Sequence, residues 1–381
     1  MRRRGSAFML TLLLSSLFAF SMNTQPVRTQ PITIIVPDEY LTIQEAIDAA
    51  SSGDTVFVRN GTYIENVFIN KSLSLVGESK EATIIDGNGT GNVVTGDYEV
   101  DNVTICGFTL QNSNRTRGRG ISIESSNYYW AISGNIIKDC GGGIRLHRPS
   151  INNVISGNLI ADNIFGISAG RIAINLSIID NVFIYNSVGI AISEGSENLV
   201  SNNTMLHGEY AIVTIHSWGD EVFTNNNIIN CTYGFSLHDS MYDPTECEIY
   251  HNNLIDVETS VLEGWEINLW DNGYPSGGNY WSNHNASDMF SGPYQNESGS
   301  DGIADTPYYQ DQYPLMAPIN YSPWDVTLDG YVGIEDIVLV AEHFASYPGH
   351  PRWNPLCDIN IDGYIGIDDI VSVAEHFGES I

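Results

Sequence analysis

Apolar and polar residues alternate along most of this chain in a short rhythm, and the rhythm itself recurs. A small residue followed by an apolar one stands at Gly120-Ile121, Gly143-Ile144, Gly166-Ile167, Gly189-Ile190, Ala211-Ile212 and Gly234-Phe235, at intervals of 23, 23, 23, 22 and 23 residues. Just after each step apolar side chains fall at alternate positions, such as Ile144 and Leu146 or Ile190 and Ile192, while Arg145 and Ala191 point the other way. A period of two is the signature of a strand. Eight residues before the steps stand Asn135, Asn158, Asn181, Asn203 and Asn226, each followed by a second short apolar run such as Ile136-Ile137. Each period therefore holds at least two strands. Strands this short bury a face only when coils stack, about 4.8 Å apart. The predicted fold class is mainly β, a right-handed parallel β-helix with about 23 residues per coil. The Asn column predicts a ladder of side-chain amides that satisfies the backbone where strands break.

The entry to this array differs. Thr42 and Glu45 form a capping box, and Ile43, Ala46, Ile47 and Ala50 share one helical face, so a short helix is predicted to cover the open first coil. The segment TIQEAIDAASSGDTVFVRNGTYIENVFINKSLSLVGES, followed by TIIDG, resembles the entry segment of pectin methylesterase-like and NosD-like β-helix proteins. Residues 279–318, reading NYWSNH, SGSDGIADTPY and DQYPLMAP, are similar to the closing segment of the NosD-like family. The resemblance spans 31 to about 320 and implies the fold. The catalytic signatures of pectin methylesterases, polygalacturonases and pectate lyases are absent from the coils, so those activities do not carry over. Copper, which the NosD name implies, calls for clustered soft ligands. Met205, Met241, His147, His207, His216 and His238 are scattered, and copper is not expected.

Beyond the coils, DGYVGIEDIVLVAEHF from Asp329 and DGYIGIDDIVSVAEHF from Asp362 agree at 13 of 16 positions and lie 33 residues apart. Counted from Asp325, the first repeat offers Asp325, Thr327, Asp329, the carbonyl of Tyr331 and Asp336; the second offers Asp358, Asn360, Asp362, the carbonyl of Tyr364 and Asp369. These oxygens suit calcium, and Gly330 and Gly363 stand where such a loop turns sharply. Pro323 and Pro355 exclude an entering helix, so each repeat reads as a loop and one exiting helix. Ile337, Val340, Ala341 and Phe344 are predicted to pack against Ile370, Val373, Ala374 and Phe377. The arrangement resembles the type I dockerin. That resemblance implies a small all-α domain with two calcium sites that plugs into a cohesin-type partner, with Ile334, Glu335, Ile367 and Asp368 beside the loops as contact candidates. Thr327 departs from the Asn or Asp usual at its position, which makes the first site the weaker. The plainer reading is a calcium-stabilised tail with no partner.

Arg2, Arg3 and Arg4 precede an apolar stretch from Ala7 to about Phe20, as in a secretory signal peptide or an uncleaved anchor. No second hydrophobic segment follows, so no membrane span is expected after signal removal, and a secreted or cell-surface location is predicted. The expected organisation is a signal at 1–22, a cap and first coils at 31–90, further coils at 91–270, a closing cap at 271–322 and the dockerin at 323–381. The formal charge of −31 disfavours nucleic acid, since counterions are released to Lys and Arg. After Arg171 the only Lys or Arg is Arg352, so the later carboxylates are expected to rely on a divalent metal. Cys106, Cys140, Cys231, Cys247 and Cys357 show neither disulfide nor zinc spacing and read as small buried hydrophobes.

Five residues after successive glycine steps stand Arg148, Arg171, Glu194, His216 and Asp239, which stacking would bring into one polar row. Such a row can bind a polysaccharide or surface glycan, or simply form a solvated edge. No catalytic residues can be named. Glycoside hydrolysis needs two carboxylates at a set separation, and Glu194 and Asp239 are the nearest the row comes to a pair. Two readings follow: a noncatalytic glycan-binding or surface-assembly protein, or a polysaccharide hydrolase or lyase carried by its dockerin.

Overall fold

The computed structural model describes residues 30–124, 126–216, 219–238, 247–263, 268–350 and 352–381. The proposed signal segment, Met241 and Asp239 lie outside them. The chain winds as a right-handed parallel β-helix. A first sheet of ten strands runs from Thr33–Val36 to Glu248–Tyr250, a second of ten from Gly61–Ile64 to Tyr280–Trp281, and a third of nine from Val67–Ile69 to Thr259–Glu263. Four two-residue strands, from Asn127–Tyr128 to Gly195–Ser196, make a short fourth sheet. Register steps by one coil, so Ile136 pairs with Leu159, and Ile144 with Ile167. Alternation then stacks like on like: Ile132, Ile155 and Ile178 in the first sheet, Ile137, Ile160 and Phe183 in the second, and Ile144, Ile167 and Ile190 in the third are all buried.

The Asn column is a ladder at the corner between the first and second sheets. Asn135 N and Nδ2 donate to Asn158 Oδ1 at 3.0 and 3.1 Å, and the pattern repeats through Asn181, Asn203 and Asn226. The ladder is longer than predicted. Asn252 and Asn279 continue it after spacings of 26 and 27 residues, where longer coils hide the column from a fixed-period reading. It ends on Asp311, whose Oδ2 accepts from Asn279 N at 2.7 Å and Trp281 Nε1 at 2.9 Å, while Oδ1 accepts from Tyr313 N.

Burial pushes Asp311 up from 3.8 to about 6, against those three donors, which favour its ionised form. Because the folded value exceeds the unfolded one, the neutral group favours folding. Its stabilisation is complete below pH 3.8 and is lost as pH rises through about 6. The expected loss is about 3 kcal/mol. Urea unfolding at pH 4.5 and pH 7 should show about 2 kcal/mol of this decline, since the unfolded carboxyl is already mostly ionised at pH 4.5, and Asp311→Asn should flatten it. An equal decline in the variant would assign the slope to other groups.

Both ends are closed. The helix Ile43–Ala49 has Thr42 as its N-cap, accepting from Glu45 N, and buries Ile43, Ala46 and Ile47 against the first coil. Trp270 and Trp281 are buried at the far end with ring centroids 5.7 Å apart.

The C-terminal segment carries the helices Ile334–Glu342 and Ile367–Glu375, each preceded by a loop, with a 3-10 turn at Pro355–Cys357 between them. Val340 and Val373 are fully buried together with Val332, Ile365 and Cys357, and Ile337 and Ile370 pack against them. Ala341, Phe344, Ala374 and Phe377 do not join this core as predicted; all four are exposed. Each helix is nine residues long, so Phe344 and Phe377 fall beyond its last turn. Trp353 Nε1 donates to Tyr185 Oη at 3.2 Å, and Leu356 packs on Ile184, Leu206 and Ile229 of the second sheet.

Candidate functional site

Each strand of the third sheet ends at a corner, and stacking aligns those corners along the helix axis. Arg148 and Arg171 each lie two residues past a strand, Gly142–Leu146 and Phe165–Ala169; Glu194 and His216 directly follow Val188–Ser193 and Tyr210–Ile215. The four side chains border one open groove of about 550 Å3 on the outer face of the sheet. Asp239, the fifth member of the predicted row, lies outside the described residues. Ser168, Gly170 and Ser193 are small and give the groove its depth.

Arg145 and His147 line it as well. The corner spacing missed them as site residues, although the alternation along Gly142–Leu146 already turned Arg145 outward. Arg171 Nε lies 2.9 Å from Glu194 Oε1, a partly exposed pair of little energetic weight. His147 Nε2 is 3.8 Å from Glu124 Oε1. Burial nevertheless holds His147 below its ordinary value, with Arg145 and Arg119 adding to the effect of burial. Burial thus favours the neutral imidazole. Glu194 is the single carboxylate among the described lining residues, and it is already paired.

The two C-terminal loops share a common frame of hydrogen bonds. Asp325 accepts from Asp329 N and Gly330 N, and Asp358 from Asp362 N and Gly363 N. Asp336 accepts from Thr327 N and Gly333 N, and Asp369 from Asn360 N and Gly366 N. Gly330 and Gly363 take φ of +88° and +84°, where a side chain would strain the turn. Asp325, Asp336, Asp358 and Asp369 are buried. Burial raises Asp325 and Asp358, and neighbouring carboxylates add to it. Among the described residues, no three His, Cys, Asp or Glu side chains form a metal-holding group. In this conformation the loop carboxylates face their own amides. Asp329, Asn360 and Asp362 are exposed, Thr327 is half-buried and bonds Asp336, and Tyr331 and Tyr364 hold the paired loop positions expected to offer carbonyls. Ile334 and Ile367 are 55% and 60% exposed, beside exposed Glu335 and Asp368.

The family model described as periplasmic copper-binding protein (NosD) matches residues 47–225 and 166–286. Among curated proteins, none matches the chain's sequence. Solved structures with a similar course include an alginate lyase from Paenibacillus sp., at 17% identity and TM-score 0.49 over 65% of this chain and 97% of that one. A mannuronan C-5 epimerase A-module from Azotobacter vinelandii matches at 15% identity and TM-score 0.39, over 60% and 92% of the two chains. A polygalacturonase from Erwinia carotovora ssp. carotovora matches at 13% identity and TM-score 0.39, over 62% and 96%. None of these carries an argument about activity.

The described residues do not fit copper. Burial pushes Cys231 up to about 11 and Cys357 up to about 12, which keeps both as thiols rather than the thiolates a metal takes. Met205 is buried in the core, and His207 and His251 are engaged with Asn230 and Ser276.

Proposed function

The chain belongs to the family described as periplasmic copper-binding protein (NosD), and from that footing we propose that it is an exported, noncatalytic β-helix protein that binds glycan along its third sheet. The observation that carries this reading is the groove bordered by Arg148, Arg171, Glu194 and His216. It is long, open and polar, as a polymer requires. Its one described carboxylate is paired with Arg171, whereas hydrolysis needs two carboxylates in separate roles. Among the described residues no helix is long and apolar enough to cross a membrane.

The proposal extends to the C-terminal repeats, read as a dockerin that tethers the β-helix to a cohesin-type module. Their support is the duplicated loop with buried, like-charged carboxylates and the exposed pair Ile334 and Ile367. Buried carboxylates of one sign call for a cation, and the oxygen-rich donor set suits calcium. Calcium would neutralise the loops and hold the exit helices in place. Thr327 stands where the second repeat has Asn360, so the second loop is the tighter.

With a panel of polysaccharides, the full chain should bind at least one polymer and release neither new reducing ends nor unsaturated products. Release of such products would favour the hydrolase or lyase reading instead. Capture on type I cohesin modules should occur in calcium and disappear in chelator. Capture that ignores chelator would sink the calcium-dependent tether.

A further inference from the structure

We propose that the groove on the third sheet takes a carboxylated polysaccharide, a polymer of uronic acid units, rather than a neutral one. The inference rests on the glycan-binding reading above and names its ligand class.

Residues 91–171 carry seven Lys or Arg against six Asp or Glu, in a chain whose formal charge is −31. Stacking gathers Arg145, Arg148 and Arg171 on one groove. Two of these guanidinium groups are uncommitted: neither Arg145 nor Arg148 has an ion-pair or hydrogen-bond partner among the described residues. Arg119, on the preceding coil, sharpens the imbalance. Its Nε is buried without a hydrogen-bond partner, and its one side-chain bond goes from Nη1 to its neighbour's carbonyl, Gly118 O. Burial and the nearby Arg145 both hold Arg119 below its ordinary value. A groove that holds two uncommitted guanidinium groups beside a third that is paired is complementary to an anion.

The shape of the groove narrows the choice. A guanidinium is a planar fork that matches a carboxylate in two parallel bonds. Arg148 and Arg171 occupy corresponding corners of successive coils, about 4.8 Å apart along the axis. That step is comparable with one pyranose unit, so a polymer lying along the axis can set carboxylates against Arg148 and Arg171, on the two coils that precede Glu194. Ser168, Gly170 and Ser193 leave room for the rings, and the two serines offer hydroxyls to those of the sugar. Double-stranded nucleic acid fits poorly, because its dense charge would meet the acidic remainder of the molecule.

The test is titration of the full chain with polygalacturonate, alginate, dextran sulfate and a neutral glucan, with calcium kept too low to gel the polymers. Polygalacturonate or alginate should bind, and binding should weaken as salt is raised. Arg148→Gln and Arg145→Gln should each weaken it about tenfold, equivalent to about 1.4 kcal/mol, while Arg148→Lys should recover part of the loss. Arg148 is exposed and Arg145 half-buried, and unchanged melting curves would separate lost binding from misfolding. Binding of glucan but not of the uronans would overturn this inference and leave the glycan-binding reading standing. Dextran sulfate binding as tightly as the uronans would overturn the carboxylate assignment. Failure to bind any of the four would remove both.

Discussion

Replacing Asn181 by alanine should cost the β-helix about 4 kcal/mol or more, or prevent it from folding. The side chain is buried and makes five hydrogen bonds. Its Oδ1 accepts from Asn158 N at 3.0 Å and Asn158 Nδ2 at 2.9 Å. Its Nδ2 donates to Ile155 O and Ile179 O, both at 2.9 Å, and to Asn203 Oδ1 at 3.1 Å. Alanine leaves the Asn158 N–H with no acceptor inside the coil and strips one partner from each of the other groups. Each buried polar group so orphaned costs about 1–3 kcal/mol, and the chain of amides is mutually polarised, so the losses compound. Against a usual stability of about 5–15 kcal/mol, that is a large fraction. Asn181→Asp should be worse, because an oxygen would replace the donor that now faces three acceptors. Exposed Asn272, which donates to Ser276 Oγ at 3.0 Å, is the control: its alanine variant should stay within about 0.5 kcal/mol of the parent. Urea unfolding of the three variants decides the matter. An Asn181→Ala loss below about 1 kcal/mol would show that the coils hold their corners by packing alone.

Gly166→Val is expected to be the second most damaging change. A Cβ on Gly166 would meet Gly189 O of the next coil at 2.5 Å and Phe183 Cδ1 at 2.7 Å, so both backbone and core would have to move. Overpacking of this kind costs about 3 kcal/mol. The column does accept one methyl group, at buried Ala211, so Gly166→Ala should cost less than valine. Unfolding midpoints in the order parent, alanine, valine are the expected result. A valine variant as stable as the parent would mean that adjacent coils part without penalty.

Most of the β-helix could be read from residue order because its causes are periodic. Gly143, Asn135 and Ile144 recur at a fixed interval, and period-two alternation turns Arg145 outward. Where the period stretches, legibility fails: Asn252 and Asn279 are rungs that the interval of 23 does not reach. The groove was half legible. The corner column brought Arg148, Arg171, Glu194 and His216 together, while Arg145 and His147 belong to it only because neighbouring strands expose the same face. Asp311 was illegible, since nothing in DQYPLMAP announces that its carboxylate closes a ladder begun nearly 180 residues earlier at Asn135. The exit helices kept their loop geometry, but helical spacing alone overstated their core, because Phe344 and Phe377 follow the last turn.

The Asn ladder also bears on how such a molecule changes over generations. Each rung touches only the coil before and the coil after, and the bonds from Asn158 to Asn181 are the same as those from Asn181 to Asn203. A whole coil copied or lost by slippage between similar repeats would leave every remaining rung with an identical partner, and neither the Thr42 helix nor Asp311 would register the event. The reach of the groove is thus adjustable in steps of one coil, and the rungs at spacings of 22, 26 and 27 residues show that a corner loop can shorten or lengthen without breaking the ladder.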